Sequence, residues 1–313
     1  LWAWARKVRD PALTVVAWLF DGAPAGIRHH VPDMGVFPLC DKLASLTERQ
    51  VELLSHHPDE NYRSLEDEVD AESIIQELCD RDKEWVMTFR SYDEVYNYLG
   101  EHPTLSQFGL VVKESRDEQG RIITVKKRLI LDCKRSLTNE AASSTQRLVL
   151  PRHVDAIADT MRMLIRKLRR EHHDVDVEQV VLDFEDAYYM VPLAFDERRF
   201  QVATYLKKYI VYLRTGQGTR LSSLTWGHVS ALLGRLTQSL DPGAVAFMIQ
   251  IFTDDPRLVL LGSECERQMT LSIIVVTWLV LGLRVAFHKA KRGRTLVWTG
   301  VQYTLVGQGL EIT

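Results

Sequence analysis

VVLDFEDAYYMVPL, Val180 to Leu193, and IQIFTDDPRLVLLG, Ile249 to Gly262, decide how this 313-residue chain is read. Each places carboxylates at the end of an apolar, β-prone run, where a strand can hold them rigidly beside one another. Asp183, Asp254 and Asp255 gathered in this way would repel unless cations sat between them. Two Mg²⁺ ions roughly 3.5–4 Å apart answer that need, because they steady both the attacking and the leaving oxygen of an in-line displacement. Metal-assisted chemistry on phosphates is the first expectation.

Length and a 46% hydrophobic composition allow a substantial core and more than one lobe. The four cysteines, Cys40, Cys79, Cys133 and Cys265, form no CxxC, which excludes a disulfide framework or a zinc knuckle and points to free thiols inside a cell. LWAWARKVRD is not a charged-then-apolar leader, and we expect a fragment of a longer protein. The net charge of −3 hides an asymmetry: residues 1–100 hold 10 Lys+Arg against 19 Asp+Glu, and residues 101–313 hold 29 against 23. Basic runs at Lys126 to Arg128, Lys134 and Arg135, Arg166 to Arg170 and His288 to Arg294 suit phosphates, although each is also the composition of a solvated face. The uncharged stretch Leu271 to Leu283 is 13 residues long, short of the roughly 20 that a bilayer needs, so a buried core helix and no membrane partner are expected. The histidine pairs His29 and His30, His56 and His57, and His172 and His173 lack a matching third ligand and are assigned to surface or loop.

Along the chain, His57 to Gly100 is expected to form short helices, and FGLVVKES and RIITVKKRLILDCK to pair across the turn Asp117 to Gly120. An amphipathic helix comes next, from His153 to Arg170, with Val154, Ile157, Ala158, Met161, Leu164, Ile165 and Leu168 on its apolar face. Then come a strand Val177 to Phe184, two strands in RRFQVATYL and YIVYLRT, a helix carrying Leu224, Val229, Leu232, Leu233 and Leu236, the hairpin with Asp254 and Asp255, and a final strand pair in LVWTGVQYTLV. This order describes an α+β fold in which a small antiparallel sheet is backed by helices.

Order and residues together resemble the reverse transcriptase of a retroelement, in collinear motifs from about Lys126 to Tyr303. LDFEDAYYMVPL is similar to that family's first carboxylate motif and FTDD to its second. The resemblance implies the fingers and palm of a right-hand polymerase over residues 106–305, preceded by an acidic, mainly helical lead-in over 1–105 and ending with the close of the fragment at 306–313. WLFDGAPAGI and VPDMGVFP resemble the lead-in of protist and tyrosine-recombinase-type retroelements. The resemblance also implies catalysis and metal binding by Asp183, Asp254 and Asp255, completed by the Phe184 carbonyl, with two Mg²⁺ ions for which Mn²⁺ can substitute.

The nucleotide would meet Lys126, Arg128, Asp186, Tyr188, Gln217 and Lys289. Tyr188 stands where an aromatic ring lies under the sugar and would clash with a 2′-hydroxyl, which favours deoxynucleotides; a viral RNA-dependent RNA polymerase would carry a polar group there and a glycine in place of Thr253. Lys126 is preferred to Lys127 because it shares a strand face with Arg128. VWTGVQY resembles a primer-grip hairpin, which makes Trp298 and Gly300 primer contacts, and a core tryptophan in a terminal hairpin has the same signature. GQGTRLSSLTW departs from the family at Leu221 and Ser223, which puts the suppleness of that loop in question and leaves a second reading, an impaired or domesticated element that binds nucleic acid without polymerising. The implied partners are an RNA or DNA template, a primer and dNTPs, in an intracellular protein.

Overall fold

The structure, a computed structural model, describes residues 1–54, 62–66, 69–80, 83–117, 119–170, 173–243 and 245–313; His56, His57 and His172 of the histidine pairs lie outside them. The fold is α+β. Its central sheet has four antiparallel strands in the order Lys291–Gly293, Asp176–Val181, Asp255–Gly262, Phe247–Phe252. Side chains alternate across a strand. Val177, Val259 and Leu261 therefore meet Met163 and Leu164 of the helix His153–Leu168. Val180, Leu258 and Leu260 join Leu232 and Leu236 of the helix Ser222–Gln238 and Ile274 and Trp278 of the helix Glu264–Val280. Both faces are covered, which explains the unbroken apolar run Leu258 to Leu261.

Two helices expose faces that differ from expectation. In His153–Leu168 the buried residues are Ala156, Asp159, Thr160, Met163 and Leu164, whereas Val154, Met161, Ile165 and Leu168 are exposed. The cause lies in the sheet below. Arg257 is 1% exposed and its guanidinium donates to Thr160 Oγ1 (2.7 Å), Gln179 Oε1 (2.6 Å) and the Ala156 carbonyl (3.4 Å), while Gln250 Nε2 donates to Asp159 Oδ2 (2.7 Å). A buried charge must be hydrogen-bonded, so the polar turn rotates inward. The expected core helix at Leu271 to Leu283 runs over Glu264–Val280, started by a capping box between Ser263 and Glu266. It buries only Ile274 and Trp278; Met269, Ile273, Val276 and Val280 are 57%, 50%, 57% and 80% exposed, so it is a surface helix with one buried stripe.

A second sheet has the order Val86–Phe89, Lys208–Tyr212, Val202–Tyr205, Leu105–Arg116, Ile122–Asp132, antiparallel except where Leu105 and Ser106 run parallel to Val202 and Ala203. Its core is built from Ile75, Leu78, Trp85, Phe108, Leu131, Ile210 and Tyr212. Val86–Phe89 falls in the segment expected to be helical; it is a strand because it completes the edge of this sheet against Lys208–Tyr212. The helices Arg63–Glu66, Ala71–Cys79 and Tyr92–Leu99 agree with expectation. The first 105 residues share cores with the rest of the chain: the helices Trp2–Lys7 and Leu13–Asp21 bury Ala5, Val15, Val16 and Trp18 in the same cluster as Trp226 and Leu232. At the C-terminal end the expected strand pair is a three-stranded meander, Thr295–Trp298, Val301–Val306 and Gly309–Ile312. Among the described residues, no helix is long and apolar enough to cross a membrane.

Candidate active site

Asp183 comes directly after the strand Asp176–Val181 and Leu182, and the backbone around it is fully engaged. Leu182 N–H donates to the Pro256 carbonyl (2.9 Å), Phe184 N–H to the Asp254 carbonyl (2.7 Å), and the Asp183 carbonyl accepts from Ala286 N–H (2.9 Å). The Phe184 ring is buried against Trp226 and Trp278, at centroid distances of 6.1 and 5.0 Å. The side chain thus anchors the motif to the core, and the Phe184 carbonyl carries no backbone hydrogen bond among the described residues. Thr253 and Asp254 form the two-residue turn between Phe252 and Asp255, which pair across the hairpin. Such tight connections call for positive φ at a central residue, and Thr253 has φ +56°. A β-branched residue in that region costs on the order of 1–3 kcal/mol and persists only where the surroundings hold it.

The three aspartates feel one another. Burial first, and then the charge of Asp183, holds the Asp254 carboxyl above the usual range. Asp255 is pushed up to about 6 by burial, Asp254 and Asp183. Asp183 is met by Lys289, whose Nζ lies 2.6 Å from Oδ1. Among the described residues, no group of three or more His, Cys, Asp or Glu side chains stands ready to hold a metal ion. The aspartates are therefore not a finished cage. All the donors on offer are hard oxygens, and Mg²⁺ is ordinarily held by one or two carboxylates together with substrate phosphates. That partial donor set fits Mg²⁺ bound jointly with a triphosphate.

A cavity of about 520 Å³ joins the two sheets. Lys126 and Arg128 enter it from one side, Asp183, Phe184, Asp186, Tyr188 and Asp254 from the other, and Gln217 and Lys289 close its margins. Nine of the residues singled out from sequence thus meet in one place. Lys126 and Arg128 lie opposite Lys113 and Val111, two residues apart and on one strand face; Lys127 lies 3.5 Å from Asp70 and also lines the cavity. Asp186, at φ +56°, opens the 3₁₀ turn Ala187–Met190 and its carbonyl accepts from Tyr189 N–H (2.9 Å). Tyr188 is half-buried, and burial together with the charge of Asp254 raises its phenol.

Asp255, Trp298 and Gly300 do not line this cavity. Trp298 is 2% exposed and packed with Tyr303 and Phe252, so its ring is a core element. It meets the site only at the backbone of the acidic turn, where its Nε1 donates to the Asp255 carbonyl at 3.0 Å. Gly300, at φ +85°, forms the exposed turn of that hairpin.

The departures in the Gln217 loop have a packing explanation. Leu221 is buried against the N-terminal segment, where a Cβ on Gly26 would lie 2.2 Å from its Cδ1, and Ser223 faces solvent. The loop is pinned to the short helix Thr138–Ala141 and packs closely on the second sheet: Asn139 Nδ2 donates to the Gly218 carbonyl (2.9 Å), Arg220 N–H donates to Asn139 Oδ1 (2.7 Å), and a Cβ on Gly218 would lie 2.3 Å from the Leu131 carbonyl oxygen. Two residues at the site carried no sequence signal. Trp85, stacked on Tyr189 at 4.3 Å and 6°, lines the cavity below Lys83, whose Nζ is 4.9 Å from the indole centroid. Trp226 reaches the acidic turn from a helix 27 residues away, its Nε1 donating to the Thr253 carbonyl at 2.7 Å.

No protein-family model and no curated protein matches the sequence. Solved structures do. The foamy viral protease-reverse transcriptase dRH in complex with double-stranded DNA aligns over 86% of this chain and 38% of its own, at 14% identity and TM-score 0.48. The native prototype foamy virus protease-reverse transcriptase aligns over 81% of this chain and 28% of its own, at 14% identity and TM-score 0.48. The foamy viral protease-reverse transcriptase in complex with an RNA/DNA hybrid aligns over 81% and 28%, at 15% identity and TM-score 0.47. The chain is similar to these reverse transcriptases over most of its own length, and spans 38% or less of theirs.

Proposed function

We propose that this chain is the polymerising part of a retroelement reverse transcriptase, extending a primer 3′-hydroxyl with deoxynucleotides on an RNA or DNA template. The observation that carries the proposal is the shared cavity: Lys126, Lys127 and Arg128 of one sheet line the same space of nucleotide size as Asp183 and Asp254 at the end of the other. Arg128, with its planar fork, suits paired phosphate oxygens, and Lys126 supplies a point charge beside it. Asp183 and Asp254, with the Phe184 carbonyl, are the residues to hold Mg²⁺, and Asp255 adds negative charge at the turn. Bound Mg²⁺ would activate the primer hydroxyl and neutralise charge on the transferring phosphoryl group and the departing pyrophosphate.

The chain's own contribution is then positioning and electrostatics. Lys289, now on Asp183, is within reach of a triphosphate in the same cavity and can follow the charge as it moves to pyrophosphate. Tyr188 presents its ring at the cavity floor, beside Asp254, where a ribose 2′-hydroxyl would press on it. Gln217, on its pinned loop, lines the same cavity and can hydrogen-bond the nucleotide there.

Primer extension on a primed RNA template tests this reading, with dNTPs or rNTPs in Mg²⁺ or Mn²⁺. Metal-dependent dNTP incorporation that falls by about a thousandfold in Asp254→Asn is the expected result. Salt-sensitive binding of the primed template with no incorporation, in this chain and in a longer one, would instead identify a nucleic-acid-binding element without polymerase activity.

A further inference from the structure

The acidic turn is held by its backbone at three successive residues. The Thr253 carbonyl accepts from Trp226 Nε1 (2.7 Å), the Asp254 carbonyl from Phe184 N–H (2.7 Å), and the Asp255 carbonyl from Trp298 Nε1 (3.0 Å). Both tryptophans are buried, at 0% and 2% exposure, and they come from different elements: Trp226 from the helix Ser222–Gln238, Trp298 from the strand Thr295–Trp298. Each indole has one donor and no acceptor, so it can satisfy only a carbonyl or similar oxygen.

The ordinary use of a buried tryptophan is apolar packing, with its N–H given to whatever acceptor is near. Here both N–H groups converge on one turn, at the carbonyls flanking Asp254. Thr253 sits at φ +56° without the freedom of glycine, so its conformation has to be imposed from outside. The bond from Trp226 to the Thr253 carbonyl is one such hold, acting on the peptide that follows. The peptide plane between Thr253 and Asp254 is then fixed at its oxygen, and with it the direction in which the Asp254 side chain leaves the backbone.

We infer that Trp226 is a positioning residue for the candidate metal-binding aspartates, its indole N–H setting the Thr253–Asp254 peptide, with Trp298 as the second hold on the far side of the turn. The inference rests on the reading of Asp183 and Asp254 as the metal ligands. Trp226 touches neither nucleotide nor metal in this role. It aims Asp254 into the cavity.

The test separates the N–H from the ring. In one variant Trp226 is replaced site-specifically by β-(3-benzothienyl)alanine, which keeps the two-ring shape and puts sulfur in place of the N–H; Trp226→Phe is the second variant. Mn²⁺ binding is followed by the electron paramagnetic resonance of free Mn²⁺ with a non-hydrolysable dNTP analogue present, its own Mn²⁺ uptake measured separately, alongside thermal unfolding and single-nucleotide extension. Expected are a Mn²⁺ dissociation constant raised about tenfold and kcat lowered about tenfold in both variants, an unchanged KM for dNTP, and a melting temperature preserved in the benzothienyl variant. Unchanged Mn²⁺ affinity in a folded benzothienyl variant would overturn the inference. If the unaltered chain binds Mn²⁺ in a manner lost in Asp254→Asn yet incorporates nothing, the polymerase reading fails and the Mn²⁺ arm alone still decides the role of Trp226. Failure of Asp254→Asn to alter Mn²⁺ binding would remove the site assignment and the inference together.

Discussion

The two sides of the cavity are built in opposite ways. On the carboxylate side every backbone carbonyl from Thr253 to Asp255 is bonded, the strands are covered on both faces, and two buried tryptophans donate to the turn. On the basic side Lys126 and Arg128 ride on a hairpin that leaves its core beyond Leu110 and Leu129, and whose Val111, Val112, Ile123 and Val125 are exposed at 46%, 46%, 64% and 48%. Metal-directed chemistry tolerates little misplacement of its ligands, which favours an over-determined turn. Cations that must admit and release a charged substrate gain from a support with few buried contacts, which is also where local motion costs least.

That contrast can be broken from either side. Arg128→Ala should produce the largest effect in the hairpin: a KM for dNTP raised about a hundredfold, near the value of losing one or two charge-assisted hydrogen bonds to phosphate, with kcat changed much less. Single-nucleotide kinetics read it, and a fall in kcat at constant KM would mean that the hairpin acts on the chemistry instead of on binding.

The braced side should yield to acid. His228, two residues from Trp226, is fully buried between the rings of Trp18 and Phe37, with neither nitrogen hydrogen-bonded among the described residues. Burial, with a smaller push from Arg235, brings its pKa down to about 4. The unfolded chain takes up this proton near pH 6.5 and the folded chain does not, so His228 contributes a loss of about 2 kcal/mol between pH 7 and pH 5, opposed by Asp255, whose carboxyl at about 6 takes up its proton first in the folded chain. Urea unfolding of the chain and of His228→Phe at the two pH values isolates the His228 share, and the variant should be the more resistant to acid by about that amount.

A smaller effect is expected where the two sides are tied together. Gly218→Ala puts a Cβ at φ +110° against the Leu131 carbonyl and should lift the Gln217 loop off the second sheet. Its expected signature is a KM for dNTP raised about tenfold with little change in melting temperature. A loss of stability exceeding the loss of affinity would show that the loop braces the fold more than the nucleotide.

Much of the site was readable because its residues are close in sequence. Asp183, Phe184, Asp186 and Tyr188 lie within six residues, and Thr253 to Asp255 are consecutive, so the strand ends and the turn that carry them arise from local pattern. The helix Ser222–Gln238 was equally local: Leu224, Leu232, Leu233 and Leu236 recur at helical spacing and are buried where the spacing puts them. Lys126 and Arg128 were legible from strand alternation, and the register against Lys113 and Val111 keeps them together.

The sequence by itself therefore determined the α+β class, the elements that bear the acidic motifs, and the residue types that gather at the cavity, since propensity and periodicity act over a few residues. Tertiary structure alone decided which face each helix buries. His153–Leu168 turned its Ala156 to Thr160 side inward to satisfy Arg257, about a hundred residues further on, and Glu264–Val280 left half of an apolar stretch in solvent because the sheet offers one stripe of contact. It also made Trp298 a core donor and recruited Trp226 to the turn. A hydrogen-bond donor finds its acceptor only once distant elements have packed, and no local pattern records that choice.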